Sequence, residues 1–98
     1  MIKEEIKTNI EGALISLKIK SDNIIIQEPR NHKDVDYATN IALTISKELN
    51  KNPMEIAENI ATELKSNNNE MFDKIIIAKP GFINFKLNSN QYLKRISS

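Results

Sequence analysis

The spacing of apolar residues changes along this chain, and that change is the strongest constraint on its fold. In residues 2–17, 37–49 and 53–64, apolar side chains recur every three or four positions, which is typical of amphipathic helices. Short β-branched runs at 24–26 and within 73–78 predict strands, and alternation over 83–87 predicts another. We therefore expect an α+β domain in which three to four α-helices pack against a small antiparallel β-sheet of three to four strands.

Length and composition indicate a single domain over residues 1–98. The chain has 98 residues, of which 40% are hydrophobic and 28% charged, as in ordinary globular proteins and unlike disordered ones. It has no cysteine, so disulfide scaffolds, thiolate zinc sites and cysteine nucleophiles are excluded. There is no long uncharged apolar run and no secretion signal at the N-terminus, so we expect a cytoplasmic protein without membrane contact.

Helix starts are predicted with unequal clarity. Asn52 followed by Pro53 is a strong signal, since asparagine caps helices and proline at the first helical position loses no hydrogen bond. For the preceding helix, Asp34 or Asp36 is the candidate N-cap, and the helix is predicted to carry Tyr37 and the following apolar residues inward to about residue 49.

The remaining turns and ends are predicted from local residue types. Pro80 and Gly81 suit the central positions of a type II turn between two strands. Ser89 can cap a short final helix, and the alternation within residues 16–20 leaves open a fourth strand after the first helix.

Net charge gives only weak support for nucleic-acid binding. The 14 basic and 13 acidic residues leave a net charge of +1, and the pI near 7.9 is below the value of about 9 at which composition alone suggests nucleic acid. Residues 70–98 are locally basic, with five basic against two acidic residues.

Strand alternation sorts the residues that follow the predicted turn onto two faces. One face is apolar and suits the core: it carries Ile83, Phe85 and Leu87. The other carries Phe82, Asn84 and Lys86, with Lys79 at the turn beside them. A ring can stack on an unpaired base, an amide can read its edge, and lysines can neutralise phosphate. The alternative is that Phe82 covers a second small core and that Lys86 is an ordinary solvated lysine.

Signals for catalysis are weak. With two glycines there is no glycine-rich phosphate loop, and there is one histidine. His32 with Asp34 and Asp36 could form a small metal or acid/base site, but such a run before a helix is more often a solvated loop with a cap. Asn40 is expected to bond nearby backbone groups rather than a ligand, and the alanine-rich third helix to pack in the core rather than on a partner.

Three motifs in order carry a resemblance to a known family: DYATNIAL at 36–43, KNPMEIAE at 51–58 and PGFINF at 80–85. With them the chain resembles the N-terminal additional domain of arginyl-tRNA synthetase. Family members commonly have glycine where Val35 stands, and often where Lys79 stands. The resemblance implies a domain that precedes a class I catalytic core and docks on the D-loop at the outer corner of the tRNA.

The resemblance also implies where the tRNA would bind. In the family the turn and the following strand meet an exposed D-loop nucleotide, which maps onto Lys79, Phe82 and Asn84, with Lys86 added as a phosphate contact. The implied partners are arginine tRNA and the catalytic and anticodon-binding domains of the full-length enzyme, and a monomer is expected. A protein-interaction or scaffold domain without RNA contact is the alternative.

The implied chemistry belongs to the full-length enzyme, which ligates arginine to its tRNA with ATP and magnesium. The His-Ile-Gly-His and Lys-Met-Ser-Lys-Ser motifs of class I cores are absent from the 98 residues. We therefore expect no catalytic, cofactor-binding or metal-binding residue in this chain, which alone should not aminoacylate.

Overall fold

The computed structural model describes residues 2–21, 23–30, 33–67 and 70–88. They form three helices and a three-stranded antiparallel sheet, which confirms the predicted α+β class; in chain order the elements are α1 (Ile2–Ser16), β1 (Tyr37–Thr39), α2 (Ile41–Leu49), α3 (Pro53–Ser66), β2 (Phe72–Ala78) and β3 (Phe82–Leu87). The strand order is β1-β3-β2, so the last strand of the chain is central. The helix predicted to start at Ser89 lies outside the described residues.

The core lies between the helices and one face of the sheet. From β3 it takes the three residues that alternation assigned to it, Ile83, Phe85 and Leu87, and from the helices the apolar stripes of α1, α2 and α3. Phe85 is fully buried, and its ring stacks on that of Phe72 with centroids 4.8 Å apart. Among the described residues, no helix combines the length and the apolar character needed to cross a membrane.

The fourth strand left open at residues 16–20 is not formed. Instead α1 ends in a Schellman motif, in which Lys18 has a φ of 60° and the N–H of Ile19 donates to the C=O of Leu14 at 2.9 Å. This left-handed turn breaks the extended conformation that a strand would require.

The predicted start of the second helix is wrong, because Tyr37 and Ala38 belong to β1 rather than to the helix. Tyr37 pairs with Phe85 and Thr39 with Ile83, and α2 begins only at Ile41. Neither Asp34 nor Asp36 caps this helix, whose N-cap residue is Asn40. Pairing with the central strand outweighs the apolar spacing, which fits a short buried strand as well as a helix.

The strand predicted at residues 24–26 is also not formed. Ile24 and Ile26 are buried as a strand would bury them, but within the described part of the chain this segment pairs only through an isolated bridge between Gln27 and Ala38. Two residues beyond Gln27 the chain reaches Pro29, which has no N–H to continue a ladder.

The start of α3 confirms its prediction, whereas the type of the β2–β3 turn does not. The side-chain oxygen of Asn52 accepts a hydrogen bond from the N–H of Met54 at 2.9 Å. In the turn, the N–H of Gly81 donates to the C=O of Ala78 at 3.0 Å, so Lys79 and Pro80 are the central residues and the bond between them is cis. The prediction of a type II turn centred on Pro80 and Gly81 is therefore wrong, since Ala78 already pairs with Phe82 and the turn lies one residue earlier.

Candidate functional site

The face of the sheet opposite the helices carries the predicted site residues, and we call it the outer face. On the central strand β3 it presents Phe82, Asn84 and Lys86, since the residues between them point into the core. In β2 the partners of these three residues are Ala78, Ile76 and Lys74, respectively. The structure therefore brings the ring, the amide and the ammonium group of β3 onto one surface.

Phe82 is the aromatic residue of this surface. Its side chain is partly exposed and lies outside the hydrophobic core cluster, whereas Phe85 on the other face is fully buried. Its neighbour across β2 is the small residue Ala78, and further along the same face Ile76 is 45% exposed. A ring that is held by a strand and bordered by small and apolar side chains can accept a flat partner on its free side.

Gly81 positions the turn that precedes Phe82. Its φ is +157°, and a Cβ atom placed there would come within 3.0 Å of the Cβ of Pro53 and 3.3 Å of the side chain of Leu43. The turn is therefore seated directly on α2 and on the first residue of α3. Lys79, one step away, is exposed and forms no ion pair with the described residues.

Lys86 lies in a more crowded electrostatic setting. Its ammonium nitrogen is 3.7 Å from Oδ2 of Asp36 and 3.5 Å from the carbonyl oxygen of Lys33. Its cross-strand neighbour Lys74 has the same charge, and like charges that face each other across strands repel. Lys86 is therefore partly neutralised within the domain, whereas Lys79 is not.

A cavity of about 570 Å³ opens beside Lys86 at the end of the sheet. Its lining carries three carboxylates and one ammonium group: the residues are Glu28, Asp36, Tyr37, Asp73, Lys86, Leu87 and Asn88. The excess of negative charge makes this cavity unsuited to a phosphate, whereas no carboxylate pairs with Lys79 among the described residues.

Asn84 and Asn40 are the two partly buried amides near Phe82. Asn84 lies between Ala38 of β1 and Ile76 of β2, and its side chain makes no hydrogen bond with the described residues. The expected bond from the side chain of Asn40 to nearby backbone is not formed among the described residues: its side chain caps nothing, and the N–H of Leu43 donates to its backbone carbonyl at 2.9 Å. Sequence reasoning missed this because it put Asn40 inside a helix.

The alternative metal site is not assembled in the part of the chain that the structure describes. His32 lies outside that part, Asp34 is exposed, and the carboxylate of Asp36 accepts a hydrogen bond from the N–H of Leu87 at 2.8 Å. Among the described residues, no group of three or more histidine, aspartate or glutamate side chains is placed to hold a metal ion.

The fold and the three sequence motifs together are those of a tRNA synthetase N-terminal domain. Residues 2–87 match the model of the family described as the arginyl tRNA synthetase N terminal domain. The chain therefore belongs to the arginyl-tRNA synthetase N-terminal domain family.

Individual relatives agree with this assignment. The chain is 45% identical over 92 residues to the arginine–tRNA ligase of Mycoplasmoides gallisepticum, with 93% of this chain and 16% of that protein covered. It is 34% identical over 96 residues to that of Bacillus subtilis, with 98% and 17% covered. The chain thus spans about one-sixth of the length of these relatives, and it matches their N-terminal domain alone.

Solved structures show the same fold. The arginyl-tRNA synthetase of Thermus thermophilus aligns with a TM-score of 0.81 at 22% identity, covering 97% of this chain and 15% of that one. The arginyl-tRNA synthetase of Plasmodium falciparum aligns with a TM-score of 0.76 at 29% identity, covering 92% and 16%.

Proposed function

We propose that this chain is a non-catalytic tRNA-recognition domain that contacts the D-loop at the outer corner of arginine tRNA. The observation that carries the proposal is the partly exposed ring of Phe82, which lies in line with Asn84 on the sheet face opposite the core. Membership of a synthetase domain family supports RNA as the partner. In this proposal the chain supplies binding and orientation, while the activity of the full-length relatives resides elsewhere.

Each proposed contact follows from the chemistry of one side chain. Phe82 would stack on an unpaired D-loop base, and the amide of Asn84 would hydrogen-bond the edge of that base. Lys79, which has no ion partner among the described residues, would contact a neighbouring phosphate. Lys86 would contribute less, because Asp36 already shares its charge.

The proposed affinity is low. Stacking of one base contributes about 1–3 kcal/mol, and one amide pair adds a similar amount, so the isolated chain is expected to bind no tighter than the high micromolar range. In the full-length enzyme, the catalytic and anticodon-binding domains would add contacts, and this domain would help to hold the acceptor end at the active site.

The test is an NMR titration of the labelled 98-residue chain with arginine tRNA at low salt. Amide shifts are expected to concentrate on residues 79–86 and to diminish when the D-loop sequence is changed. Phe82→Ala should weaken binding at least about fivefold while leaving the domain folded. Because Asn59 is exposed on α3, Asn59→Ala is the matched control and should bind as the unaltered chain does.

Two results would overturn the proposal. One is the absence of shifts in residues 79–86 at high tRNA concentration. The other is unfolding of the Phe82→Ala variant to the extent expected for Phe85→Ala, a core truncation that costs about 3–5 kcal/mol.

The whole-enzyme properties belong to the same proposal. We propose that the full-length protein ligates arginine to tRNA with ATP and magnesium, lies in the cytoplasm and is a monomer. This domain itself would hold neither ATP nor magnesium. Restoration of arginylation when the domain is returned to a synthetase that lacks it would test this part.

A second candidate function rests on exposed apolar residues away from the outer face. Ile15 on α1 is 75% exposed and Leu49 on α2 is 44% exposed, which suits a protein-interaction or scaffold domain without RNA contact. That function predicts binding that changes little with salt and survives Phe82→Ala but weakens with Ile15→Lys, whereas tRNA binding should fall steeply as salt rises.

A further inference from the structure

We infer that Asn40 is a second base-reading residue of the outer face, acting together with Asn84 on the nucleotide that stacks on Phe82. The inference rests on the proposed function, since it adds a specificity-determining side chain to the same RNA site. It would make the site selective for the chemistry of the base edge, rather than a stacking platform that accepts any base.

The register of the sheet places Asn40 beside Phe82. Thr39 pairs with Ile83 at the end of β1, so Asn40, the residue that follows β1, is next in register to Phe82, the first residue of β3. Paired residues have Cα atoms roughly 4.5–5.5 Å apart, so the two residues just beyond the last pair, Asn40 and Phe82, stay close neighbours. Asn40 follows Ala38 by two positions, and Ala38 is the outer-face partner of Asn84, so alternation continued one residue past β1 puts Asn40 on the same side.

The amide of Asn40 has no structural use in the described part of the chain. It is only partly exposed, yet its side chain makes no capping hydrogen bond and no other bond with the described residues. Asparagine is among the best N-cap residues because its side chain normally accepts from the first turn. Here the N–H of Leu43 donates to the backbone carbonyl of Asn40 at 2.9 Å, so the side-chain donor and acceptor groups of Asn40 have no partner among the described residues.

Two amides and a ring then enclose one position. Asn84 lies two residues along β3 from Phe82, and Asn40 lies across the strand gap from it, so the ring is flanked on two sides. An amide offers both donor and acceptor groups, which allows a paired hydrogen bond to a base edge that also presents both. Ala38, which pairs with Asn84 on this face, is small and only 4% exposed, so the partly exposed polar groups near the ring are those of Asn84 and Asn40.

The experiment measures binding of the 98-residue chain to arginine tRNA transcripts, intact or with an abasic site at single D-loop positions. The contacted position is identified with Phe82→Ala: when the base at that position is missing, this variant and the unaltered chain should bind the tRNA equally well. There, Asn40→Ala should weaken binding of the intact tRNA at least about fivefold and binding of the abasic tRNA less than twofold. Asn59→Ala, on the exposed surface of α3, should change neither.

A second variant separates base reading from an effect on folding. Asn40→Asp keeps the size of the side chain and remains a good N-cap residue, but it replaces the amide donors with acceptors. It should keep the stability of the unaltered chain and shift the order of affinities among the four bases at the contacted position. An unchanged order of affinities, or an equal loss on intact and abasic tRNA, would overturn the inference.

Failure of the inference is distinguishable from failure of the proposed function. If Phe82→Ala and Asn84→Ala weaken binding while Asn40→Ala does not, Asn40 has no part in a site that nevertheless exists. If none of the three variants weakens binding, the outer face is not the RNA site and both proposals fall.

Discussion

The carboxylate of Asp36 accepts a hydrogen bond from the backbone N–H of Leu87 at 2.8 Å and so joins residues 51 positions apart. The N–H of Asp36 donates to the carbonyl of Phe85, also at 2.8 Å. Asp36 therefore bonds the backbone of β3 twice, once through its side chain and once through its N–H, and so extends the pairing of β1 with β3 by one residue. The relationship explains why an aspartate stands directly before the short strand that holds the edge of the outer face.

Asp36→Ala is expected to lower the free energy of unfolding by about 1–2 kcal/mol. Hydrogen bonds to charged groups contribute about 1.5–3 kcal/mol, and partial exposure of this carboxylate reduces the effect. Urea denaturation followed by circular dichroism would measure it. Asp34→Ala, in the same loop but exposed, should stay within about 0.5 kcal/mol of the unaltered chain, and equal losses for the two variants would contradict the assignment.

Gly81→Ala is expected to destabilise the domain by about 1–3 kcal/mol. A Cβ atom would meet the ring of Pro53 at 3.0 Å, and the φ of +157° is rarely adopted by residues with side chains. The matched control is Gly12→Ala in α1, where a Cβ would meet nothing within 4 Å. That change should stabilise by about 0.5–1 kcal/mol, because alanine is the better helix former. Thermal melts of the two variants should therefore shift in opposite directions.

Thr39→Val is expected to cost about 1–3 kcal/mol although it preserves side-chain shape. The buried hydroxyl of Thr39 donates to the carbonyl of Ile25 at 2.9 Å and accepts from the N–H of Ile41, and valine would leave both groups unpaired. Thr8→Val removes an exposed hydroxyl from α1 and should change the unfolding free energy by less than about 0.5 kcal/mol. A similar small change at Thr39 would show that water replaces its bonds.

Lys79→Ala is expected to reduce the salt dependence of tRNA binding. Each phosphate contact to a single strand contributes about 0.7 to the slope of log affinity against log salt, so the slope should fall by about that amount. Lys86→Ala should lower it less, because Asp36 lies 3.7 Å from its ammonium nitrogen. Lys65→Ala, on the exposed end of α3, is the control. A slope that does not change with Lys79→Ala would remove this residue from the interface.

The sequence predicted those parts of the fold that local chemistry determines. The cap at Asn52 needs one side chain and one backbone N–H, and the alternation over β3 needs only a sheet with one buried face. The apolar spacing predicts a helix at Tyr37 and Ala38, because three strand residues are too few to show a period of two. Their conformation depends on pairing with β3, nearly 50 residues away, which local patterns do not record.

The candidate site also has a part that the sequence predicts and a part that depends on the pairing of distant strands. Alternation alone placed Phe82, Asn84 and Lys86 on one face, and the structure puts them there. Two further features depend on the pairing of β1 with β3: the ion pair of Lys86 with Asp36, and the position of Asn40, whose side chain makes no capping bond, beside Phe82. Neither could be predicted without knowing that β1 exists.

The central position of β3 also orders events during synthesis. β1 and β2 both pair with β3 and not with each other, and β3 ends at Leu87. No part of the three-stranded sheet can therefore form on the ribosome until β3 has emerged. Until then the segments of β1 and β2 remain unpaired, and only the helices can form. The strand that carries the proposed RNA contacts is thus also the one that completes the sheet, so the sheet and its proposed RNA-binding face form in the same step.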